Sequence, residues 1–105
     1  CESLLYSAKQ GMDEAAVIDV IGRGAANSWC INTLGPRIAD GDMAPGFFVE
    51  HFVKDMEIAL AEARAANLSL PGLALVHQLY VALKAQGGAR LGTQALIQTL
   101  RSLNP

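Results

Sequence analysis

Phe47-Phe48-Val49-Glu50-His51-Phe52-Val53-Lys54-Asp55 sets one lysine beside one aspartate inside an otherwise apolar helical pattern. The pattern continues outward. Phe52, Met56, Ala59, Leu60 and Ala63 recur three or four apart, so they stack on one face of a helix running from about Val49 to Ala66. Abundant alanine favours the helix and lets neighbouring helices approach closely. Asn67 is a C-terminal stop, and Pro71 suits the first turn of the next helix, where its missing amide would have no partner anyway. That helix carries Leu75, Leu79, Ala82 and Leu83 as its apolar stripe and ends at Gly87-Gly88. Thr93 is placed to cap a final helix through Leu96, Ile97 and Leu100.

Toward the N-terminus, Cys1 to Gln10 is helical, with Leu4, Leu5 and Ala8 on one side and Gly11 as its stop. It reads as the last turns of a helix begun upstream. Asp13 can cap the next helix, whose stripe is Ala16, Val17, Val20 and Ile21 and whose end lies near Gly22 and Gly24. A third segment starts at Asn27 or Ser28 and carries Trp29, Ile31 and Leu34. Pro36 should kink or end it before Ile38. Ala39 to Gly46 is a loop, and no stretch alternates as a strand would. The fold class is therefore all-α, a compact domain of five or six helices, some of them short.

At 105 residues the chain is one compact domain with a modest core, and 51% apolar residues exclude a disordered tail. A net charge of −2 leaves no electrostatic footprint for nucleic acid or an anionic membrane. No apolar run is long enough to span a bilayer. Cys1 and Cys30 form neither a disulfide framework nor a zinc knuckle, and read as buried free thiols in a reducing compartment. Localisation is expected to be cytoplasmic.

Lys54 and Asp55 project roughly 100° apart on a helix, so one can address a ligand while the other pairs elsewhere. His51 lies one turn before Asp55, and Glu50 one turn before Lys54. An exposed Glu50–Lys54 ion pair is the plain structural alternative to a ligand role. His77, between Leu75 and Leu79, should flank the apolar face or lie exposed. Neither histidine has the partners of a hydrolytic triad. Gly22-Arg23-Gly24 follows a helix rather than a strand, so it ends that helix and is no phosphate loop. Asp40 and Asp42 lack the further oxygen ligands of a calcium loop. Trp29 either fills the core or lines a cleft, and Ser28 is either a helix cap or a polar group at that cleft.

Taken in order, Glu2-Ser3-Leu4 through Lys9-Gln10-Gly11-Met12-Asp13, then Gly24-Ala25-Ala26-Asn27-Ser28-Trp29, then Phe47 to Asp55 with Ile58-Ala59-Leu60, resemble a known pattern. Pro71 and Gly87-Gly88 fit it too. The chain resembles the helical C-terminal domain of the beta-hydroxyacid dehydrogenases, the family of 3-hydroxyisobutyrate dehydrogenase and tartronate semialdehyde reductase. The 6-phosphogluconate dehydrogenases share the architecture with a longer helical domain.

The resemblance implies an N-terminal Rossmann domain that binds NAD or NADP, joined by a long helix to residues 1–105. It also implies hydride transfer between that cofactor and a small 2- or 3-hydroxy acid or its semialdehyde. The family's essential lysine should fall roughly five helical turns before Glu2, upstream of Cys1. No catalytic residue is therefore expected within the chain. Lys9, at the wrong end of that helix, is no substitute, and the chain alone should be inactive. Lys54 resembles the lysine that reaches the nicotinamide cofactor. Asp55 resembles its acidic neighbour, Phe47 the aromatic wall on the substrate side, and Ser28 and Trp29 residues near the same cleft. No metal is implied. The expected partners are the Rossmann domain and a second copy of the chain in a homo-oligomer such as a dimer. The alternative is a non-catalytic helical interaction or dimerisation domain that has kept the fold. A free-standing regulator or nucleic-acid module fits the acidic balance poorly.

Overall fold

In the computed structural model, which describes residues 1–105, six α-helices follow one another: α1 (Glu2–Lys9), α2 (Glu14–Arg23), α3 (Gly35–Ala39), α4 (Val49–Ala65), α5 (Pro71–Leu83) and α6 (Leu96–Leu103). The all-α expectation holds. The only β-type pairing is an isolated antiparallel bridge between Phe48 and Gly92.

Local chemistry sets most of the boundaries. Gly11 follows α1 at φ +72°, a left-handed conformation that costs glycine little. Asp13 Oδ2 accepts from the amide of Ala16 at 2.9 Å and caps α2. Asn67 takes φ +56° just past α4. There Leu68 N donates to Ala63 O at 2.8 Å and Asn67 N to Arg64 O at 3.1 Å, the paired bonds of a Schellman ending.

Pro36 does not end its helix. A wide π-helical turn, Cys30–Leu34, runs straight into α3, and Pro36 occupies the first turn of α3, where no amide is needed. Gly35 sits close to α2, where a Cβ would lie 3.3 Å from Ile18 Cγ1. That close approach explains why Ile18 is the buried residue of α2. Ala16 and Val20 of the expected stripe are exposed, Val20 by 72%.

Helix α4 buries Val49, Val53, Met56 and Ala63 and leaves Ala59 outside, a face turned slightly from the expected one. Helix α5 differs more. Tyr80 and Leu83 are its buried residues, Leu75 is 65% exposed, and His77 turns inward with its side chain only 13% exposed. The rotation follows Tyr80, which meets Phe52 of α4 edge-to-face at 4.9 Å. His77 Nε2 is buried without a hydrogen-bond partner, 3.6 Å from Glu57 Oε1 on α4.

After α5, a second wide turn, Lys84–Gly88, contains Gly87 at φ +94°. Thr93 makes no side-chain cap. A 3₁₀ turn, Thr93–Ala95, leads into α6 with Ala95 N bonded to Gly92 O at 2.9 Å. Two apolar clusters make the core. Val49, Val53, Met56, Tyr80, Leu83 and Ala95 form one, Leu4, Ile18, Ile38 and Ile97 the other, and Met43 packs against both. Cys1 and Cys30 are free thiols, but Cys30 is exposed rather than buried. No helix is long and apolar enough to cross a membrane.

Candidate functional site

The first turn of α4 has no side-chain cap, and a distant segment supplies its partners. Val49 N donates to Leu91 O at 2.9 Å and Glu50 N to Ala89 O at 3.0 Å, using carbonyls some forty residues away to satisfy amides that a helix start leaves open. Val49 is wholly buried at this junction. The start of α4 is thereby fixed in position and direction.

Aromatic rings surround it. Phe47 lies 6.2 Å from both His51 and Phe52, Phe48 lies 5.4 Å from His51, and Phe52 continues the chain of rings to Tyr80. Arg90 crosses this region with its guanidinium carbon 4.3 Å from the centre of the Phe48 ring. Its Nη1 donates to Glu50 Oε1 at 2.7 Å. His51 Nε2 lies 3.8 Å from the same oxygen.

Glu50 is therefore paired with Arg90, and the Glu50–Lys54 pair available from spacing does not form. Lys54 and Asp55 are both exposed and take part in no ion pair or side-chain hydrogen bond, so the possible Asp55–His51 contact is absent as well. Phe47, at 44% exposure, precedes the helix and leaves much of its ring free.

Ser28 and Trp29 lie at the start of the π-helical turn, which packs chiefly on α2 and α3. Ser28 Oγ accepts from Ile31 N at 3.0 Å, so Ser28 is a cap. Trp29 is 69% exposed and is no core residue. Neither side chain makes a hydrogen bond or ring contact with Phe47, Lys54 or Asp55. Phe47 thus stands just before α4 and Lys54 and Asp55 in its second turn, whereas Ser28 and Trp29 lie on another element.

Two concavities lie elsewhere on the surface. One of about 510 Å³ runs between the end of α4 and the start of α5, lined in part by Leu60, Arg64, Pro71 and His77. The other, about 490 Å³, is an apolar groove along α2 formed by Met12, Ala16, Val17, Val20 and Ile21 beside Asp13. No set of three or more His, Cys, Asp or Glu side chains converges as a metal site would require. Asp42 is engaged by Arg37 Nε at 2.8 Å and by the amide of Ala44 at 2.9 Å. Its carboxyl is held below the usual range, first by the Arg37 hydrogen bond and then by the Ala44 amide.

Arg90 is the residue that sequence spacing could not reveal, because its pairing with Glu50 spans forty positions.

Residues 1–100 match the family described as "NAD-binding of NADP-dependent 3-hydroxyisobutyrate dehydrogenase". The chain is 50% identical over 103 residues to "Probable 3-hydroxyisobutyrate dehydrogenase-like 1, mitochondrial" of Arabidopsis thaliana, covering 98% of this chain and 31% of that protein. It is 34% identical to the 2-hydroxy-3-oxopropionate reductase of Escherichia coli, covering 94% and 34%. Among solved structures, the 3-hydroxyisobutyrate dehydrogenase of Salmonella typhimurium superposes with a TM-score of 0.88 at 26% identity, over 92% of this chain and 34% of that one. The Mycobacterium tuberculosis 3-hydroxyisobutyrate dehydrogenase with L-serine gives 0.86 at 27%, over 95% and 36%. The chain thus spans about a third of the length of the relatives it matches.

Proposed function

Because the chain belongs to the NAD-binding family of NADP-dependent 3-hydroxyisobutyrate dehydrogenase, we propose that residues 1–105 are the C-terminal helical domain of a two-domain oxidoreductase. The whole enzyme would use NAD or NADP and act on a small 2- or 3-hydroxy acid or its semialdehyde. A Rossmann domain and the start of a joining helix would precede the domain.

The observation that carries this reading is Lys54: an exposed ammonium with no acidic partner, on a helix whose start is fixed by remote main-chain bonds. An unpaired cation held by a rigid element suits an anionic dinucleotide. The cofactor, when bound, supplies the hydride chemistry. Lys54 would hold the nicotinamide half by charge and hydrogen bonding. Phe47, partly exposed, would wall the substrate side and exclude water, and Asp55 would support the geometry of α4. Ser28 and Trp29 would line the cleft from a separate element of the same domain. The proton that accompanies hydride transfer would move through a lysine upstream of Cys1, so the 105-residue chain alone would be inactive.

The exposed apolar groove of α2 favours contacts with further protein, either the rest of the enzyme or a second copy in a homo-oligomer. The same groove is the one observation that favours the second reading, a non-catalytic interaction domain. A cytoplasmic enzyme of this kind would need neither metal nor nucleic acid.

Steady-state kinetics of the full-length protein with both cofactors and a panel of small hydroxy acids tests the proposal. Lys54→Glu should raise the cofactor KM about tenfold or more, since it removes a charge-assisted hydrogen bond and adds repulsion. Unchanged KM and kcat in that variant would refute the role of Lys54. Absence of any dinucleotide binding by the full-length protein would favour the interaction domain.

A further inference from the structure

Glu50 stands four residues before Lys54, in the order in which a helical Glu–Lys pair is most favourable. Yet Glu50 Oε1 is bonded to Arg90 Nη1 at 2.7 Å, and Lys54 is left without an ion pair. We infer that Arg90 is a positioning residue: by occupying Glu50 it keeps Lys54 free for an anionic ligand. This rests on the assignment of Lys54 to the cofactor proposed above.

The competition favours Arg90 for reasons visible in the structure. The bond from Glu50 N to Ala89 O, at 3.0 Å, already holds the backbone next to Arg90 against Glu50, so only side-chain freedom remains to be lost when the two pair. The guanidinium also lies 4.3 Å from the centre of the Phe48 ring, which restrains it over the same turn. Lys54 has no such restraint and would have to order a long flexible side chain to reach Glu50. With Glu50 about two-thirds buried and engaged by Arg90, the ammonium of Lys54 keeps its charge and its donors for a partner outside the chain. Removal of Arg90 would release Glu50 toward Lys54, and the domain would hold its own cation in place of the ligand.

The test uses the full-length protein as wild type, Arg90→Met, Glu50→Gln/Arg90→Met and Lys54→Met. The methionine at 90 keeps an apolar stem over Phe48 and removes the charge. Two readouts are taken: the rate of Lys54 acetylation in cofactor-free protein, followed by peptide mass spectrometry, and the Kd for reduced dinucleotide by fluorescence titration.

Arg90→Met should slow Lys54 acetylation and weaken dinucleotide binding about two- to threefold at low ionic strength, the scale of one surface ion pair. Adding Glu50→Gln should restore both. The Arg90→Met defect in binding should fade at high salt, where the new pair is screened. A merely structural Arg90 would give a double variant no better than Arg90→Met, and that result overturns the inference. So would acetylation of Lys54 that ignores Arg90 while Lys54→Met still weakens binding. Unchanged dinucleotide affinity in Lys54→Met would instead overturn the cofactor assignment and, with it, the purpose inferred for Arg90.

Discussion

The hydroxyl of Tyr80 donates to the main-chain carbonyl of Thr93 at 2.9 Å, tying α5 to the turn that starts α6. Burial pushes the phenol up to about 12, with the charge of Cys30 as a smaller contribution. An unfolded tyrosine titrates near 10. The raised value means that the contribution of Tyr80 to stability is complete below about pH 10 and is lost as pH climbs toward 12. The loss should reach about 2–3 kcal/mol. Alkaline unfolding followed by circular dichroism should therefore begin near pH 10. Tyr80→Phe should flatten that limb while costing about 1–2 kcal/mol at neutral pH, because the Thr93 carbonyl loses its donor.

Gly92 and Gly72 make a matched pair. A Cβ at Gly92 would lie 2.8 Å from the main-chain oxygen of Ala44, whereas one at Gly72 would meet nothing within 4 Å. Gly92→Ala must push the Ala44 strand of the loop away, and with it the two Gln94 bonds to Asp42 O and Ala44 O, each 3.0 Å. A loss of about 2–3 kcal/mol in urea denaturation is expected, the scale of core overpacking. Gly72→Ala, in the first turn of α5, should be neutral or stabilising by up to about 1 kcal/mol.

Asp42 contributes to the acid limb. Its carboxyl is held below the usual range, first by the Arg37 hydrogen bond, so the stability it adds is present above about pH 4 and disappears as pH falls through the lower folded value. Asp42→Asn should make the thermal midpoint less sensitive to pH below about 4, and Arg37→Met should do the same. A variant that keeps the wild-type slope would show that another carboxylate controls acid unfolding.

Ile97 is wholly buried where α6 meets α1, α2 and α3, beside Leu4, Ile18 and Ile38. Ile97→Ala should cost about 2–5 kcal/mol, depending on how far the cavity collapses. The control is Val20→Ser on the exposed face of α2, which should change the stability of the domain by less than about 0.5 kcal/mol. A large effect at Val20 would mean that this face is already covered in solution.

The fold was legible where local rules decide it. Asp13 as a cap, Gly11 and Asn67 as stops, Pro71 at a helix start and the all-α class follow from residue chemistry within a turn or two. Helix rotation was less legible. Leu75 and Leu79 outrank His77 and Tyr80 in hydropathy, yet the Phe52–Tyr80 ring contact turned His77 inward and Leu75 out. Pro36 misled because the π-helical turn before it shifts where the helix starts. At the candidate site, Lys54, Asp55 and Phe47 were singled out by resemblance alone, and spacing favoured a Glu50–Lys54 pair that does not form. Arg90 was not, since nothing within a helical turn of it names Glu50. The exposure of Trp29 was hidden because composition cannot separate a core ring from one on a face left uncovered.

The amides of Val49 and Glu50 wait on carbonyls at Leu91 and Ala89. During synthesis, the entrance to α4 cannot close until those later residues have left the ribosome, although the rest of the helix can already be wound. Nascent chains arrested just short of residue 89 should therefore leave that entrance open to proteases, and those arrested well beyond it should protect it. One short stretch of hydrogen bonding thus makes the entrance to α4 depend on residues made some forty positions later.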